Sequence, residues 1–499
     1  MIIWGISANS HDAALTVYYN NKIAFASHSE RFSGVKNDPH LHQDLLDYAL
    51  DWGYPERVIW YERPILKTVR QLVAGQGFLL DRNNIHLYLK SYGITAPITF
   101  IDHHLSHAAA GYFTSNFDHA SILVMDAIGE FNTLTLWEAD KEKLTKKYTS
   151  NYPNSIGLWY SAMTQRLGLK PNEDEYILMG MAAYGDSNKY TQEILDTFFK
   201  ISYTSSGFPK IKSKHNLHRG CLWWKSEQQH SINNIFTQWA YDVAASVQAI
   251  YIKLLNLLSN YIYRNFTSSN LVFMGGCALN CTANTTLVNT WKDPKNIWIM
   301  PNPGDAGSSL GSILAYTQKH IIWPGPYLGY NIKGEYPVDE TIKELLSTEI
   351  VGVASGKAEF GPRAFGNRSL LADPRNVSCK DKVNTIKRRQ KFRPFAPAIL
   401  EEYANEFFDS PFGYYMQYTT RCKYPEQYPA IVHADGTSRV QTVAKTDKTG
   451  FRLLLERWYE ITGCPMLLNT SLNIRGKPMI NDLTDAQEFS TLYNVKVFS

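Results

Sequence analysis

The sequence predicts an α/β protein whose N-terminal part contains one strand–turn–strand unit twice. The first unit lies at residues 2–28 and the second at residues 121–139; in each, an apolar strand leads through a polar turn into a strand of alternating apolar residues. Residues 235–262 carry apolar residues at the i, i+3 and i+4 spacing of one long helix. Two such units in one chain predict a duplicated α/β fold with a nucleotide cleft between two lobes.

The length of the chain indicates more than one hydrophobic core. At 499 residues it exceeds the size at which a single core stops growing, so at least two domains are expected. An irregular connector rich in Pro and Gly at residues 323–340 separates a predicted domain at 1–335 from a second at 345–499. The paired units of the first domain are typical of actin-like and sugar-kinase-like ATPase folds.

The composition is that of an ordinary globular protein, with 44% hydrophobic and 19% charged residues. The net charge of +4 is too small to indicate nucleic acid binding by itself. The six cysteines form no CxxC pair, which favours reduced thiols over a disulfide framework. Because the start has no signal-peptide pattern and no apolar run reaches membrane-spanning length, we expect a cytoplasmic protein that does not bind membranes.

A candidate metal site comes from two histidines and two carboxylates. If residues 103–113 are helical, His103 and His107 project from one face at the i, i+4 spacing of metal ligands. Asp126 ends an apolar strand and Asp305 lies in a tight turn, and neither position has an obvious structural need for charge. Two imidazoles with two carboxylates suit iron, manganese or zinc.

Two alternatives to this metal site remain open at the level of sequence. Histidines at i and i+4 also occur on helix surfaces or as hydrogen-bonded core residues. His104 could replace His103, because it would pair with His107 at i+3.

A glycine pair marks a candidate nucleotide loop. After the apolar strand 271–274, Gly275 and Gly276 would let backbone N–H groups approach an adenine or a phosphate closely. Asn280 and Asn284 follow and can hydrogen-bond to such a ligand.

Cations are concentrated in Gly- and Pro-rich loops of residues 351–400, beside Phe residues that would fix their positions. These cations are Arg363, Arg368, Arg375, Lys387, Arg388, Arg389 and Arg393. Fixed cations suit a phosphate-rich ligand, whereas a nucleic acid patch, the alternative, is usually mobile. Arg439 and a strand end with Asn469, Asn473 and Arg475 form a further ligand-facing rim.

Three other stretches are interpreted from local pattern. Residues 30–36 form either a solvated turn or a substrate-facing loop that carries Lys36. Residues 155–167 are helical and lead to the acidic, Gly-punctuated run 173–185, which is typical of a helix start beside a ligand. Residues 186–235 are interpreted as a variable lid or insertion.

Together these strings resemble the NodU-type O-carbamoyltransferases over nearly the whole chain. The N-terminal strings are Gly5-Ile-Ser with His11-Asp12, Glu30-Arg-Phe with Lys36, His103-x-x-x-His107, Asp126-x-x-Gly-Glu130, Met179-Gly180, Gly275-Gly-x-Ala-Leu-Asn-Cys281 and Gly304-Asp-Ala-Gly307. The C-terminal strings are Glu359-Phe-Gly-Pro-Arg363, Gly366-Asn-Arg-Ser369, Ala372-Asp-Pro-Arg375, Phe392-Arg-Pro-Phe-Ala-Pro397, Asp435-Gly-Thr-x-Arg439 and Leu468-Asn-Thr-Ser-x-Asn-x-Arg-Gly476.

The resemblance implies a two-domain enzyme with a two-step reaction. Residues 1–335 would form an ASKHA-like domain that binds metal and nucleotide, and residues 345–499 a YrdC-like domain. The YrdC-like domain would join carbamoyl phosphate to ATP, giving carbamoyl adenylate. The ASKHA-like domain would then pass the carbamoyl group to the hydroxyl of a small molecule, sugar or nucleotide. The chain could also form a homodimer.

The resemblance also assigns roles to residues of this chain. Carbamoyl phosphate and ATP would be held by Arg363, Lys387, Arg393, Arg439, Asn473 and Arg475. The adenylate would lie near Gly275, Gly276 and Asn280. The metal ligands would be His103, His107, Asp126 and Asp305, with Fe²⁺ expected, Mn²⁺ or Zn²⁺ as alternatives, and Mg²⁺ accompanying ATP. The catalytic residues would be His11, Asp12 and Lys36: His11 or Asp12 would act as general base or only position the acceptor, and Lys36 would face the substrate.

The chain departs from the family pattern at several positions. These are Tyr176-Ile-Leu178 where a Lys is usual, Ala183 for Pro, Gln390-Lys391 for Glu-Pro, and Leu472 for Phe. Because the first departure removes that Lys, the expected contact with the nucleotide near residue 177 is in doubt. Two rival functions are a threonylcarbamoyl-type transferase acting on nucleic acid and an inactive nucleotide-binding regulator. The acceptor would be bounded by residues 37–95 and 186–235.

Overall fold

The computed structural model describes residues 1–77, 83–226 and 235–499. It confirms the predicted α/β class, since helices and sheets share all parts of the chain. The strands are β1 Ile2–Ser7, β2 Ala14–Tyr19, β3 Lys22–His28, β4 Arg57–Trp60, β5 Ile98–Phe100, β6 His119–Gly129, β7 Asn132–Asp140, β8 Lys143–Asn151, β9 Phe199–Tyr203, β10 Pro209–Ser213, β11 Leu271–Met274, β12 Ile297–Trp298, β13 Tyr327–Ile332, β14 Ile350–Ala354, β15 Gly356–Glu359, β16 Arg368–Ala372, β17 Ala396–Leu400, β18 Thr420–Arg421, β19 Thr437–Ser438, β20 Gln441–Val443, β21 Met466–Ser471 and β22 Val497–Phe498.

The helices connect these strands. They are α1 Glu30–Ser33, α2 Gln43–Leu50, α3 Pro64–Val73, α4 Ile85–Lys90, α5 His103–Thr114, α6 Ile156–Arg166, α7 Glu175–Met181, α8 Thr191–Phe198, α9 Gln238–Asn265, α10 Cys281–Trp291, α11 Ser308–Thr317, α12 Val338–Thr348, α13 Val377–Ile386, α14 Ala404–Phe407, α15 Gly450–Thr462 and α16 Leu483–Tyr493. Within the described residues, no helix combines the length and the hydropathy that a membrane span requires.

Two five-stranded sheets of the N-terminal part have the same strand order. One runs β3-β2-β1-β4-β5 and the other β8-β7-β6-β11-β12. In both, the first three strands are antiparallel and the last two add in parallel. Both predicted strand–turn–strand units are therefore present, and the first strand of each, β1 or β6, is the central strand of its sheet.

Helices α5 and α11 pack against each other in a core that also contains residues of both sheets. The contact is close because small residues face it: a Cβ added to Gly311 would lie 2.0 Å from the Ser106 carbonyl oxygen. A Cβ on Gly5 of β1 would lie 1.9 Å from the Ser309 carbonyl oxygen. The first turns of α5 and α11 are thus brought together beside the ends of β1 and β6.

Three predicted helices are confirmed with their caps. Asp102 accepts a hydrogen bond from Leu105 N–H at the start of α5, and Ser155 accepts one from Leu158 N–H at the start of α6. The long helix predicted at 235–262 is α9, which begins after Thr237. The predicted lid at 186–235 contains α8 and the β9–β10 hairpin; its residues 227–234 lie outside the described part, as do residues 78–82 of the predicted acceptor wall.

The C-terminal part folds around one six-stranded sheet, with the order β20-β17-β21-β16-β14-β22. The expectation of an irregular connector at 323–340 is wrong for Tyr327–Ile332, which form β13, and α12 begins at Val338. Strand β13 pairs with β15, and the Pro- and Gly-rich flanks hid this long-range pairing from a local reading of the sequence. The predicted domain boundary therefore follows a strand that already pairs with the C-terminal part.

Arg368 is a structural residue and not one of the ligand-facing cations. Its guanidinium is fully buried and donates to carbonyl oxygens of several segments. The acceptors are Tyr330, Ser355, Gly356, Asn367 and Asn481, at 2.9 to 3.3 Å. These bonds tie β13, β15 and β16 to the segment before α16.

We expect Arg368→Met to destabilise the protein by about 3 kcal/mol or more, because it leaves several buried carbonyl oxygens without donors. Urea unfolding should show this as a lower midpoint. The matched control is Arg457→Met, because Arg457 is exposed and bonds only to Glu460 one turn away. Equal midpoints for the two variants would contradict the structural role of Arg368.

Candidate functional site

Four sequence-predicted residues meet between the two N-terminal sheets. His103 and His107 project from the first turns of α5, Asp126 lies in β6, and Asp305 lies in the turn before α11. All four are buried. One potential ligand atom from each lies within 4.8 Å of the others.

The distances within this cluster are short and even. The Nε2 atoms of His103 and His107 are 3.1 Å apart. Each Nε2 lies 3.3 to 3.5 Å from an oxygen of Asp126 and of Asp305. His104 does not join them, because its Nδ1 lies 2.9 Å from the Thr135 hydroxyl on the other side of α5. Of the two histidine pairs that the sequence left open, the structure brings together His103 and His107.

The charges in the cluster are mutually dependent. Burial by itself lowers the pKa of His103, but Asp305 and Asp126 outweigh it and raise that pKa well above its usual value. The same carboxylates raise the pKa of His107. Burial raises the pKa of both carboxyls and the charge of Asp305 raises the pKa of Asp126 further, yet the two histidines outweigh these effects and hold both pKa values low. Each carboxylate is therefore ionised and needs positive charge beside it.

The cluster has the dimensions of a divalent metal site. A metal–ligand bond of about 2.1 Å places adjacent ligand atoms roughly 3.0 to 3.4 Å apart in octahedral or tetrahedral coordination. The five separations that involve a histidine, 3.1 to 3.5 Å, match that spacing, and all four ligand atoms lie within 4.8 Å of one another. Two neutral imidazoles and two carboxylates would also balance a divalent charge, so the residues fit such an ion.

Neighbouring residues fix the orientation of these side chains. The Ser308 hydroxyl lies 3.3 Å from His107 Nδ1, which leaves Nε2 directed at the cluster. A Cβ on Gly129 would lie 2.2 Å from the His103 ring, and a Cβ on Gly157 would lie 2.8 Å from the backbone of Asp126. The absence of these side chains makes room for the cluster.

The turn between β1 and β2 brings two of the predicted catalytic residues to the cluster. His11 Nε2 lies 3.7 Å from Asp305, and its Nδ1 lies 3.5 Å from Asp12. Burial lowers the pKa of His11, but the hydrogen bond to Asp12 and the charge of Asp305 raise it to about 10; the pKa of Asp12 falls to about 2. With this raised pKa His11 is protonated. A cation bound to Asp305 would offset the carboxylate charge and lower the pKa of His11, which favours the neutral imidazole that a general base requires.

Lys36 lies near this turn but is already paired. Its ammonium donates to both oxygens of the buried Glu30, at 2.8 and 2.9 Å. Asn37 N–H donates to the same carboxylate. The Glu30 pair positions Lys36, and its predicted catalytic role stays a prediction.

The predicted nucleotide loop lies directly beside the cluster. Gly275 has φ +92°, and a Cβ there would lie 2.0 Å from the Met125 carbonyl oxygen, so only glycine suits the position. A Cβ on Gly276 would lie 3.3 Å from the Asp126 carboxylate. Asn280 caps α10 through Ala283 N–H and exchanges two amide hydrogen bonds with Gln248. The Asn280 side chain is thus largely occupied by the protein.

Asn284, the second amide expected to contact a ligand, has another role. Its Nδ2 donates to the carbonyl oxygens of Ala278 and Gln417. Through Nδ2 this side chain ties the loop to the C-terminal part, whereas its buried Oδ1 has no hydrogen-bond partner among the described residues, so the expected contact to a ligand stays a prediction.

The predicted C-terminal cations gather next to this loop and next to α7. Five cations lie close enough to affect one another's pKa values: Arg363, Lys387, Arg389, Arg393 and Arg439. All but Arg389 were predicted to bind carbamoyl phosphate and ATP. Burial and then Arg439 lower the pKa of Arg363 to about 9, and burial with two arginines lowers the pKa of Lys387. Arg439 Nε is buried and lacks a hydrogen-bond partner. Among the described residues none of the five has an ion pair, which is the electrostatic signature of an anion site.

Arg389 is the cation that the assignment from sequence omitted. It is one of three consecutive basic residues, and nothing in the local pattern separated it from Arg388, which is exposed and lies over the Tyr493 ring. The Arg389 guanidinium lies 4.1 Å from the centre of the Phe395 ring and donates to Asn384. Helix α13 ends at Ile386, and Arg388 has a left-handed backbone conformation with φ 50°. This turn of the backbone directs the Arg389 side chain into the protein and the Arg388 side chain out of it.

Asn473 and Arg475 are arranged differently from the clustered cations. Asn473 accepts hydrogen bonds from the Lys387 ammonium through its side chain and its carbonyl oxygen, both at 2.9 Å. The Arg475 side chain is exposed, whereas its backbone N–H donates to the Lys387 carbonyl oxygen. Asn473 therefore positions Lys387, and Arg475 lies at the rim.

The two parts of the chain are in contact where the loop meets the cations. Arg363 donates to the Leu279 carbonyl oxygen at 3.3 Å. Leu279 belongs to the same loop as Gly276, which borders Asp126 of the candidate metal cluster. The Arg393 guanidinium lies 4.5 Å from the centre of the Tyr176 ring. Tyr176, at the departure from the family pattern, thus takes a stacking position beside the cations.

A cavity of about 450 Å³ opens beside the cluster, where Asp126 and Asp305 form part of its wall. It is bordered by the β1–β2 turn, by α3 and by residues near 172 and 218. Its lining includes His11, Lys67, Arg70, Gln71, Gln76, Asp126, Asn172, His218 and Asp305. Helix α3 and His218 belong to the two stretches, 37–95 and 186–235, that the sequence predicted around the acceptor, although neither carries a motif of its own.

Comparison with solved structures gives distant neighbours. Component A of (R)-2-hydroxyglutaryl-CoA dehydratase from Acidaminococcus fermentans aligns over 64% of this chain and 99% of its own, with a TM-score of 0.35 and 12% identity. Full-length HypF in its phosphate- and nucleotide-bound form covers 64% of this chain and 46% of its own, with a TM-score of 0.33 and 12% identity.

Comparison of sequences gives nearer relatives. An uncharacterised protein of Synechocystis sp., sll1178, is 31% identical over 97% of this chain and 93% of its own length. Nodulation protein NolO of Bradyrhizobium diazoefficiens is 30% identical over 77% of this chain and 75% of its own. Nodulation protein U of Rhizobium tropici is 33% identical over 45% of this chain and 42% of its own.

Two family models match the chain in succession. The model described as carbamoyltransferase N-terminus matches residues 67–314, and the model described as carbamoyltransferase C-terminus matches residues 342–498. The first range contains all four cluster residues, and the second contains the five cations. The chain therefore belongs to the NodU-type carbamoyltransferase family and is a carbamoyltransferase.

Proposed function

We propose that this carbamoyltransferase uses ATP to activate carbamoyl phosphate and delivers the carbamoyl group to a hydroxyl. Water releases phosphate from carbamoyl phosphate, and an oxygen of the carbamate attacks the α-phosphorus of ATP, giving carbamoyl adenylate and pyrophosphate. The acceptor hydroxyl then attacks the carbamoyl carbon, loses its proton, and AMP leaves. The observation that carries this proposal is the group of five cations without ion pairs among the described residues.

The C-terminal cations would bind and orient the two anionic substrates. Both carbamoyl phosphate and ATP are rich in negative charge. Burial and repulsion between neighbouring cations lower the pKa of Arg363 and Lys387, and a phosphate oxygen placed between these cations would relieve that repulsion. Arg363, Lys387, Arg393, Arg439 and Arg475 are proposed to hold the substrates, with Asn473 holding Lys387. Mg²⁺ is proposed to accompany ATP.

The four-residue cluster is proposed to hold a divalent metal, with Fe²⁺ favoured and Mn²⁺ or Zn²⁺ as alternatives. His103, His107, Asp126 and Asp305 would be its ligands. When bound, such an ion supplies positive charge that stabilises a phosphate leaving group. The Gly275–Gly276 backbone, directly beside Asp126, would approach the adenylate.

The acceptor is proposed to enter through the 450 Å³ cavity, where a hydroxyl would reach His11 and Asp12. The polar lining would hydrogen-bond to a small molecule, sugar or nucleotide. Neutral His11 would take the hydroxyl proton, while Asp12 orients its ring through Nδ1.

We also propose the fold assignments that follow from this function. The repeated strand order supports a duplicated ASKHA-like domain over residues 1–335, followed by a YrdC-like domain over 345–499. A cytoplasmic location would supply both ATP and carbamoyl phosphate.

Release of pyrophosphate from ATP should depend on carbamoyl phosphate and should fall about 100-fold or more in Arg439→Gln, because the cation whose buried Nε lacks a partner is lost from the proposed phosphate site. A coupled pyrophosphate assay measures it. The matched control is Arg421→Gln, since Arg421 is exposed on β18, the strand that pairs with β19 just before Arg439.

Two outcomes of this assay would contradict the proposal. Pyrophosphate release that does not need carbamoyl phosphate would exclude carbamoyl adenylate formation. Binding of ATP without any turnover would instead favour a nucleotide-binding regulator.

Metal content should be lost in His107→Ala and retained in His104→Asn. His104→Asn is matched to it because the Asn amide can replace Nδ1 in the bond to Thr135. Elemental analysis after anaerobic loading with Fe²⁺ and removal of free ions gives the content per chain. An unchanged content in His107→Ala would reject the ligand assignment without bearing on pyrophosphate release.

A further inference from the structure

Helix α3 is amphipathic in the opposite sense to an ordinary surface helix. Its buried residues are Lys67, Thr68 and Arg70. Its apolar residues are exposed: Ile65 by 79%, Leu66 by 36%, Val69 by 46%, Leu72 by 54% and Val73 by 64%. These five residues, here called the α3 face, form a continuous stripe at helical spacing.

The polar contacts of α3 explain why its charged side faces inward. The Lys67 ammonium donates to Glu62 at 2.6 Å and to the Asn9 carbonyl oxygen at 2.9 Å. Arg70 Nε donates to the Glu130 carbonyl oxygen at 3.1 Å. One side of the helix thus holds the β1–β2 turn and the β6–β7 turn, so its apolar residues are left on the outside.

The α3 face has the size of a functional surface. Five side chains exposing on the order of 100 Å² each give about 500 Å² of apolar surface, at the upper end of what monomers leave uncovered. Two such faces pressed together would bury about 1,000 Å², which reaches the lower limit of specific interfaces. The area is therefore sufficient for one partner of equal size.

The lack of charge on the α3 face restricts the chemistry of that partner. Apart from Arg63 at the start of the helix, its exposed residues are all apolar, so it offers little to nucleic acid or to anionic lipid. A surface without like charges can meet a copy of itself without repulsion. A two-fold interface requires this self-complementarity, because the same patch faces itself.

We propose that the α3 face is the interface of a homodimer of this chain. The two helices would cross antiparallel about a two-fold axis near Val69. Ile65 would then face the partner subunit's Val73, and Leu66 would face the partner subunit's Leu72. The interface does not depend on the reaction proposed above.

Dimer formation would act on the acceptor cavity through α3. Lys67, Arg70 and Gln71 border the cavity from the buried side of the helix. Fixing its outer side would hold these three residues and, through Asn9 and Glu130, both turns beside the candidate metal cluster.

Sedimentation equilibrium of the full chain tests the interface. Wild type should be a dimer at about 100 µM, and Ile65→Glu/Leu72→Glu should raise the dissociation constant by about 100-fold or more. The matched control is Leu87→Glu/Leu492→Glu, in which both replaced leucines are 58% exposed on other helices. A monomeric wild type, or a dimer that persists unchanged in the α3 variant, would overturn the proposal.

A cross-linking experiment tests the position of the axis. Val69→Cys should form a covalent dimer on oxidation with diamide, because the axis would bring the two thiols within bonding distance. Leu492→Cys should not. The native cysteines add little background, since five are buried and Cys277 is partly buried. Equal cross-linking of the two variants would place the interface elsewhere.

Discussion

The close contact between α5 and α11 is the constraint on which the rest of the site depends. Gly311 allows α11 to approach the Ser106 carbonyl, and the small residues that follow His107 keep the two helices in register. Because each helix begins at the edge of a different sheet, this single contact brings the two imidazoles of α5 to the carboxylate of Asp305. Asp126 then completes the group from the end of the neighbouring strand, and the burial of the four side chains makes their charges interdependent.

The protein separates negative and positive charge into two neighbouring centres. The N-terminal centre contains two ionised carboxylates with two imidazoles, whereas the C-terminal centre contains cations only. The Gly275–Asn280 loop lies between them, since Gly276 borders Asp126 and Leu279 accepts a hydrogen bond from Arg363. An anionic ligand that passed from one centre to the other would thus need to cross only this loop.

The sequence predicted what depends on local spacing and missed what depends on long-range contact. The i, i+4 histidines and the strand-end carboxylate could be recognised because helix and strand geometry fix them locally. The cations could be recognised as a group, but composition does not distinguish Arg368, which bonds to five carbonyl groups, from Arg363, which lacks an ion pair in the described structure. The same limit concealed β13 and the hydrogen bond from Asn284 to Gln417, since the partner of each lies far away in the chain.

The candidate metal cluster and the cavity beside it are built from different kinds of structure, and this difference bears on specificity. The cluster is held by core helices and strands, where a change of one methylene group is felt by closely packed neighbours. The cavity is bordered by α3 and by loops, and α3 contacts the turns beside the cluster through the backbone carbonyls of Asn9 and Glu130. A carbonyl contact does not depend on the side chain of the residue that offers it, so these two contacts fix the turns and not their sequence, while the core helices and strands keep the geometry of the cluster. Recognition of the proposed acceptor can therefore vary within one transfer chemistry, because the residues that α3 contributes to the cavity belong to no motif, whereas His11, Asp126 and Asp305 do.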